Sequence, residues 1–247
     1  MIDIHSHILP RLDDGSTNAN VSFEMLEIAA ADGITGIIAS PHSQAGKDLI
    51  TKEAIDREVD ALNQRAQKEG LDISVLSGCE WSVVSGIPEL IEQGFGCSMA
   101  HGRYLLLELS PWQELSFYRN AVFEIMIAGY VPILAHAERC SSILRHPSEL
   151  LRAIQKGVLV QVNANSVCGR NGRKIKTFVL NLIKKRMVHF IASDAHNTDS
   201  RPPMLSEAYE VVKKKFGEDT AQRLFYANGL KVMHDEQIYL DDPLYSR

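Results

Sequence analysis

The chain has no run of eighteen apolar residues and no basic segment leading into an apolar one at its N-terminus, so neither a membrane-spanning helix nor a secretory leader is expected. Cysteine is scarce. Four residues in 247, Cys79, Cys97, Cys140 and Cys168, are too widely spaced for a zinc finger or a disulfide framework. Free thiols in a reducing compartment follow, and with them the expectation of a cytoplasmic protein. Basic excess is lacking too. The net charge of -5 gives no general attraction to nucleic acid or an anionic membrane, so neither is expected as a partner. Any anionic substrate has to be held by local charge.

What the chain does have is 45% hydrophobic residues, enough for one sizeable core and one domain over residues 1–247. Short β-rich runs alternate with helical periodicities. After a first strand through His5, such runs occupy 34–40, 73–79, 104–108, 131–135, 158–163 and 188–193. The first helix has Asn18 or Asn20 as its cap, Val21, Met25, Ile28 and Asp32 on one face, and Gly33 as its stop. The second runs from Thr51 to Gly70 with Ile55, Val59, Leu62 and Ala66 at helical spacing. Further helices are expected over 88–93, 114–128, 147–156, 173–185, 204–216 and 219–226, and the polar stretch 235–247 reads as a flexible tail. Seven strands alternating with helices predict an α/β fold, a parallel barrel with seven strands in place of eight.

His5 and His7 stand two apart in the first strand, so both imidazoles face one way and can reach one cation. Later strands end in similar chemistry: His42 after the second, Glu80 the third, Glu108 the fourth, His136 the fifth, Asp194 and His196 the seventh. The C-terminal strand ends of a parallel barrel share one face, where active sites are built. Alone, Glu108 reads equally well as a solvated turn residue and His136 as a hydrogen-bonded core histidine. With Asp14 they make nine candidate ligands, too many for one ion and suited to two or three. Their four carboxylates do not cancel three divalent cations, and the surplus positive charge suits a phosphate dianion. Cys79 lies on the side of its strand opposite Glu80, so thiolate ligation is not expected. Arg139 and Arg201, close to the same rim, are candidates for clamping phosphoryl oxygens.

His5-Ser-His7, Leu12-Asp-Asp-Gly-Ser16, Pro41-His42, Gln161-Val-Asn-Ala-Asn165, Asn228-Gly-Leu-Lys-Val232 and above all Val188-His-Phe-Ile-Ala-Ser-Asp-Ala-His-Asn197 resemble the polymerase and histidinol phosphatase superfamily. Within it they look like the bacterial manganese-dependent protein tyrosine phosphatases of capsule and exopolysaccharide operons. The resemblance spans the chain and implies a distorted barrel of the same kind. It also implies two or three divalent ions, manganese foremost, with iron, zinc or cobalt as alternatives. One ion would sit among His5, His7, Glu80 and Asp194, with Glu80 bridging to a second held by Glu108 and His136. Asp14, His42 and His196 would hold a third, and Arg139 and Arg201 would contact the phosphate. The implied substrate is phosphotyrosine on a membrane-associated bacterial tyrosine kinase.

The chain departs from the family pattern at Ala137, where proline is common, at Cys140, where tyrosine is, and at Ser82, where arginine often stands. The loop Ser43-Gln-Ala-Gly46 also lacks a second histidine after His42. None of these removes a candidate ligand. Three other readings stay open: a small-phosphomonoester phosphatase of the same superfamily, a non-catalytic docking domain, and a cysteine-dependent phosphatase. The last rests on Cys97-Ser-Met-Ala-His-Gly-Arg103, which satisfies C-x5-R but lacks the usual preceding His and following Ser or Thr.

Overall fold

The computed structural model describes residues 1–44, 49–112 and 118–239. Its strands are β1 (Ile2–Ser6), β2 (Gly36–Ala39), β3 (His42–Ser43), β4 (Ser74–Ser77), β5 (Glu80–Ser82), β6 (Tyr104–Glu108), β7 (Val131–Leu134), β8 (Leu159–Asn163) and β9 (Phe190–Ala192). They pair in parallel as β1-β2-β4 and β3-β5-β6-β7-β8-β9. These two sheets trace the seven expected strands, because the second strand is interrupted at Ser40-Pro41 and the third at Gly78-Cys79. Pro41 has no N–H to give to a ladder, which accounts for the first break. The path continues across it: Ser40 N–H donates to Ser6 O at 2.9 Å and Glu80 N–H to Pro41 O at 3.0 Å. β9 comes back to β1 at a Ser6–Ala195 bridge, where His7 N–H donates to Ala195 O at 2.8 Å and Asp194 N–H to His5 O at 2.9 Å. The result is the α/β architecture expected, a parallel seven-strand ring distorted where β1 and β9 meet only near their C-terminal ends.

The strands carry apolar side chains on both faces, which is why they read as runs with little polar alternation. Ile4, Ile38, Leu106, Ile133, Leu159 and Phe190 fill the interior. Leu105, Leu107, Val160, Val162 and Ile191 pack outward against the helices. These are α1 (Ala19–Ala31), α2 (Lys52–Glu69), α3 (Ile87–Glu92), α4 (Arg119–Ile127), α5 (Ser141–Arg145), α6 (Pro147–Ile154), α7 (Ala164–Cys168), α8 (Arg173–Lys184), α9 (Ser206–Phe216), α10 (Glu218–Gln222) and α11 (Asn228–Met233).

Helix α2 follows the expectation. Thr51 accepts from Ala54 N, Gly70 stops the helix with φ 74°, and Ile55, Val59, Leu62 and Ala66 are buried. In α1 the cap is Asn18, but the buried residues are Ser22, Phe23, Met25, Leu26 and Ala29, so of the expected face Val21, Met25, Ile28 and Asp32 only Met25 is buried. Asp32 is drawn off the core because its carboxylate accepts from the N–H groups of Leu205 at 2.6 Å and Ser206 at 2.9 Å, at the start of α9. The described part of the 114–128 helix begins at Arg119; residues 113–117 lie outside the described residues.

The last expected helix is longer than its periodicity suggested, since α10 continues through a π-helical turn at Arg223–Ala227 into α11. The start of the expected tail is tied down. Asp235 accepts from Arg103 N at 2.6 Å, Tyr104 OH donates to Glu236 O, and Ile238 packs on the interior cluster. A buried Tyr104 hydroxyl and an apolar Ile238 both need partners, and the segment supplies them to each other; residues 240–247 lie outside the described residues. Val232, Met233 and Ile238 close the N-terminal mouth of the ring. The C-terminal mouth is left for chemistry.

Candidate metal centre

Three local backbone features turn ligand side chains into that mouth. Alternation from Ile2 and Ile4, both interior, would send His5 and His7 outward, but a register shift between Asp3 and Ser6 reverses the faces. Alternation from Ala135 would likewise send His136 away. His136 instead adopts a left-handed conformation, φ 30°, and so does Asp194, φ 55°. Each costs on the order of 1–3 kcal/mol, the kind of strain that clusters at functional sites. Gly15 lets the Asp13–Ser16 turn press on His7, since a Cβ there would meet His7 O at 2.2 Å.

All nine candidate ligands meet at this mouth. Glu80 lies at the centre, with Oε2 3.2 Å from His5 Nε2, 3.3 Å from His7 Nε2 and 3.1 Å from His42 Nδ1, and Oε1 2.9 Å from His136 Nε2. Glu108 reaches His136 Nε2 at 3.6 Å and His42 Nδ1 at 3.8 Å. Asp194 Oδ1 is 3.5 Å from both His5 and His7 Nε2, and Asp14 Oδ1 is 3.7 Å from His42 Nε2 and 3.6 Å from His196 Nε2.

Three overlapping sets have their ligand atoms within 4.8 Å of one another: His7, Asp14, His42 and His196; His5, His7 and Glu80; His42, Glu80 and Glu108. The grouping differs from the one the resemblance implies in that His7 and His42 are each shared, while His136 and Asp194 stand just outside the three sets. The inner side is closed and the outer side open: His5 and Glu80 are buried, whereas the Asp14 side chain is 69% exposed.

Hydrogen bonds set the imidazole tautomers. His7 Nδ1 lies 2.6 Å from Asp13 Oδ2, His5 Nδ1 3.1 Å from Gln161 Oε1, and His196 Nδ1 3.0 Å from Asp194 O, so each Nδ1 carries the proton and each Nε2 a lone pair. The His5 and His7 Nε2 atoms then face each other at 3.2 Å, and Glu80 Oε2 is buried without a hydrogen-bond partner. Lone pairs pointed at each other and at an orphaned carboxylate oxygen need a cation between them. The nitrogen and oxygen donor set suits manganese, iron, zinc or cobalt.

In the metal-free chain protons take that place. Burial lowers the pKa values of His5, His7 and His42, but neighbouring carboxylates outweigh it and raise all three, His7 furthest. Burial pushes the Glu80 and Asp194 carboxyls up, and the imidazoles around them hold both well below the usual range. His196 is pushed down to about 4 by burial and by the charges of His7 and Arg201.

Arg139 and Arg201 converge as the sequence placed them. Arg139 Nη1 donates to Asp194 Oδ2 at 3.0 Å and Arg201 Nη2 at 2.8 Å, and both side chains remain partly exposed at the lip. Three residues escaped the sequence reading: Asp13, Gln161 and Asn163, which hold candidate ligands without being among them. Gln161 and Asn163 were visible as inward polar residues in an apolar strand.

Cys97 stands apart from this chemistry. It is buried in the outer apolar layer, burial pushes its thiol up to about 12, and Arg103 is paired with Asp235. The C-x5-R segment is a tight turn in which Ala100 and His101 have φ 52° and 56°, with no cradle for a phosphate.

A family model described as capsular polysaccharide synthesis, CpsB/CapC, matches residues 1–234. The chain belongs to the CpsB/CapC family. Among its relatives, the tyrosine-protein phosphatase YwqE of Bacillus subtilis is 34% identical over 98% of this chain and 95% of its own length. The tyrosine-protein phosphatase CpsB of Streptococcus pneumoniae is 28% identical over 96% of this chain and all of its own. A crystal structure from work on YwqE and CpsB as metal-dependent tyrosine phosphatases superposes with a TM-score of 0.93 at 32% identity, each chain covered completely. The histidinol phosphate phosphatase of Lactococcus lactis superposes with a TM-score of 0.54 at 15% identity over 86% of this chain and 92% of its own, which shows a shared fold.

Proposed function

We propose that this CpsB/CapC chain is a metal-dependent protein tyrosine phosphatase. Its substrate would be phosphotyrosine on a bacterial tyrosine kinase of capsule or exopolysaccharide synthesis. The names of its relatives support this reading. The observation that carries it is the asymmetry of Asp194: Oδ2 collects Arg139, Arg201 and the Asn163 amide, while Oδ1 faces the imidazoles. Two guanidinium groups therefore sit on the lip of a buried, ligand-rich cluster, where a phosphate dianion meets both.

His5, His7, Glu80 and Asp194 would hold one ion, Glu80, Glu108 and His136 a second, and Asp14, His42 and His196 a third, with the shared positions of His7 and His42 tying the subsites together. Manganese is the proposed ion. When bound, the ions polarise phosphoryl oxygens and acidify water. Arg139 and Arg201 donate to the equatorial oxygens, where charge is carried during in-line displacement. Asp13 and Gln161 keep the His7 and His5 protons on Nδ1, away from the ions. A tyrosyl leaving group has a pKa of about 10, so it departs with less need of a proton donor than a serine ester.

The open outer side at Asp14, His42 and Glu108 suits a tyrosine carried on a protein. Among the described residues no helix is long and apolar enough to cross a membrane. The proposed place of its meeting with the kinase is the cytoplasm. Side-by-side kcat/KM values for a phosphotyrosine peptide and for histidinol phosphate test the assignment. Preference for the peptide is expected; preference for the small ester would overturn it.

A further inference from the structure

β8 is the one strand of the ring that brings no candidate ligand, yet its inward residues Gln161 and Asn163 are buried polar amides, 0% and 4% exposed. Buried amides without a function are expensive, so their partners matter. Gln161 Oε1 accepts from the backbone N–H of His136 at 2.7 Å and lies 3.1 Å from His5 Nδ1. Gln161 Nε2 donates to Asn163 Oδ1 at 2.9 Å, and Asn163 Nδ2 donates to Asp194 Oδ2 at 2.8 Å.

The direction of this relay is fixed at both ends. A backbone N–H can only donate, so the Gln161 oxygen must face His136. The Asp194 carboxylate can only accept, so the Asn163 NH2 must face Asp194. With both amides oriented, His5 has an acceptor at Nδ1, which places its proton there and its lone pair on Nε2, toward Glu80 and Asp194. The same oxygen restrains His136, whose left-handed backbone would otherwise relax.

We infer that Gln161 is a positioning residue that couples two ion subsites: one side-chain oxygen sets the His5 tautomer on β1 and the His136 backbone after β7. The inference rests on the metal-centre reading above. Asp13 does the parallel work on the other side, accepting from His7 Nδ1 at 2.6 Å and His42 N at 2.9 Å. His7 thus has a charged partner and His5 a neutral one.

The test is metal binding by the purified chain, measured by competition with a chromophoric chelator. Gln161→Met keeps the side-chain length and removes the acceptor; it is expected to weaken binding by about tenfold or more. Gln161→Glu keeps an acceptor oxygen for His5 and His136 but sets its second oxygen against Asn163 Oδ1; a loss well below about tenfold is expected, and this variant decides the matter if Gln161→Met does not fold. In a His5→Ala background the loss from Gln161→Met should shrink, because part of it acts through the imidazole. Wild-type affinity in Gln161→Met, equal losses in Met and Glu variants, or an undiminished loss without His5 would each overturn the inference. Failure of the wild-type chain itself to bind metal would instead sink the metal-centre reading.

Discussion

Replacing Asp13 by asparagine separates a ligand's support from the ligand itself. The Asp13 carboxylate serves three donors: Gly15 N on Oδ1 at 2.9 Å, and His7 Nδ1 at 2.6 Å with His42 N at 2.9 Å on Oδ2. Asparagine offers one oxygen. Turned toward Gly15, it sets its NH2 against His7 Nδ1–H, and His7 escapes by moving its proton to Nε2, the atom aimed at the ions. Turned the other way, it strands the Gly15 N–H. Either outcome leaves a buried donor unpaired, at about 1–3 kcal/mol.

A second estimate comes from the Asp13 carboxyl. Burial pushes its pKa up, but the hydrogen bond and charge of His7, with Gly15 and His42, bring it from 3.8 down to about 2. Ionised Asp13 is thereby stabilised by about 2–3 kcal/mol, or roughly sixtyfold in an equilibrium constant. Asp13→Asn is therefore expected to weaken divalent-metal binding by about 10- to 100-fold in chelator competition at neutral pH. Affinity indistinguishable from wild type would refute the tautomer reasoning.

Cys97→Ser should leave phosphatase activity unchanged, because the thiol is buried and its pKa pushed up to about 12; a dead variant whose parent ignores chelators would contradict this. Arg201→Ala should lower kcat/KM on the order of a hundredfold while metal content stays unchanged; loss of metal together with activity would make Arg201 a support for Asp194 instead. Metal affinity should fall as pH drops into and below the histidine range, with protons released on binding. The sign follows from His5, His7 and His42, whose pKa values are raised in the metal-free chain, so protons occupy their lone pairs progressively as pH drops. Calorimetry in buffers of different ionisation enthalpy would count those protons, and affinity flat across the window would contradict the assignment.

The candidate ligands other than Asp14 were legible because each sits where a strand leaves the sheet, and a parallel ring gathers those ends. Their grouping was not. It depends on the register shift in β1 and on left-handed His136 and Asp194, which no side-chain periodicity records. Asp13 and Asp14 look alike in sequence; only the turn through Gly15 sends one under His7 and the other to the open rim. Gln161 was visible as a polar residue in an apolar run, but its partners lie on β1 and after β7. The face of α1 was misread because Asp32 is claimed by the start of α9, a contact made across 173 positions of sequence. The fused helices at the C-terminus were misread because the Arg223–Ala227 turn departs from the α-helical period.

The most direct test is hydrolysis of a phosphotyrosine peptide by the purified chain as isolated, after chelation, and after manganese is returned, with bound metal counted at each stage. The account predicts activity that disappears with the chelator and comes back with two or three ions per chain. Activity that persists in chelator with no metal bound would contradict it.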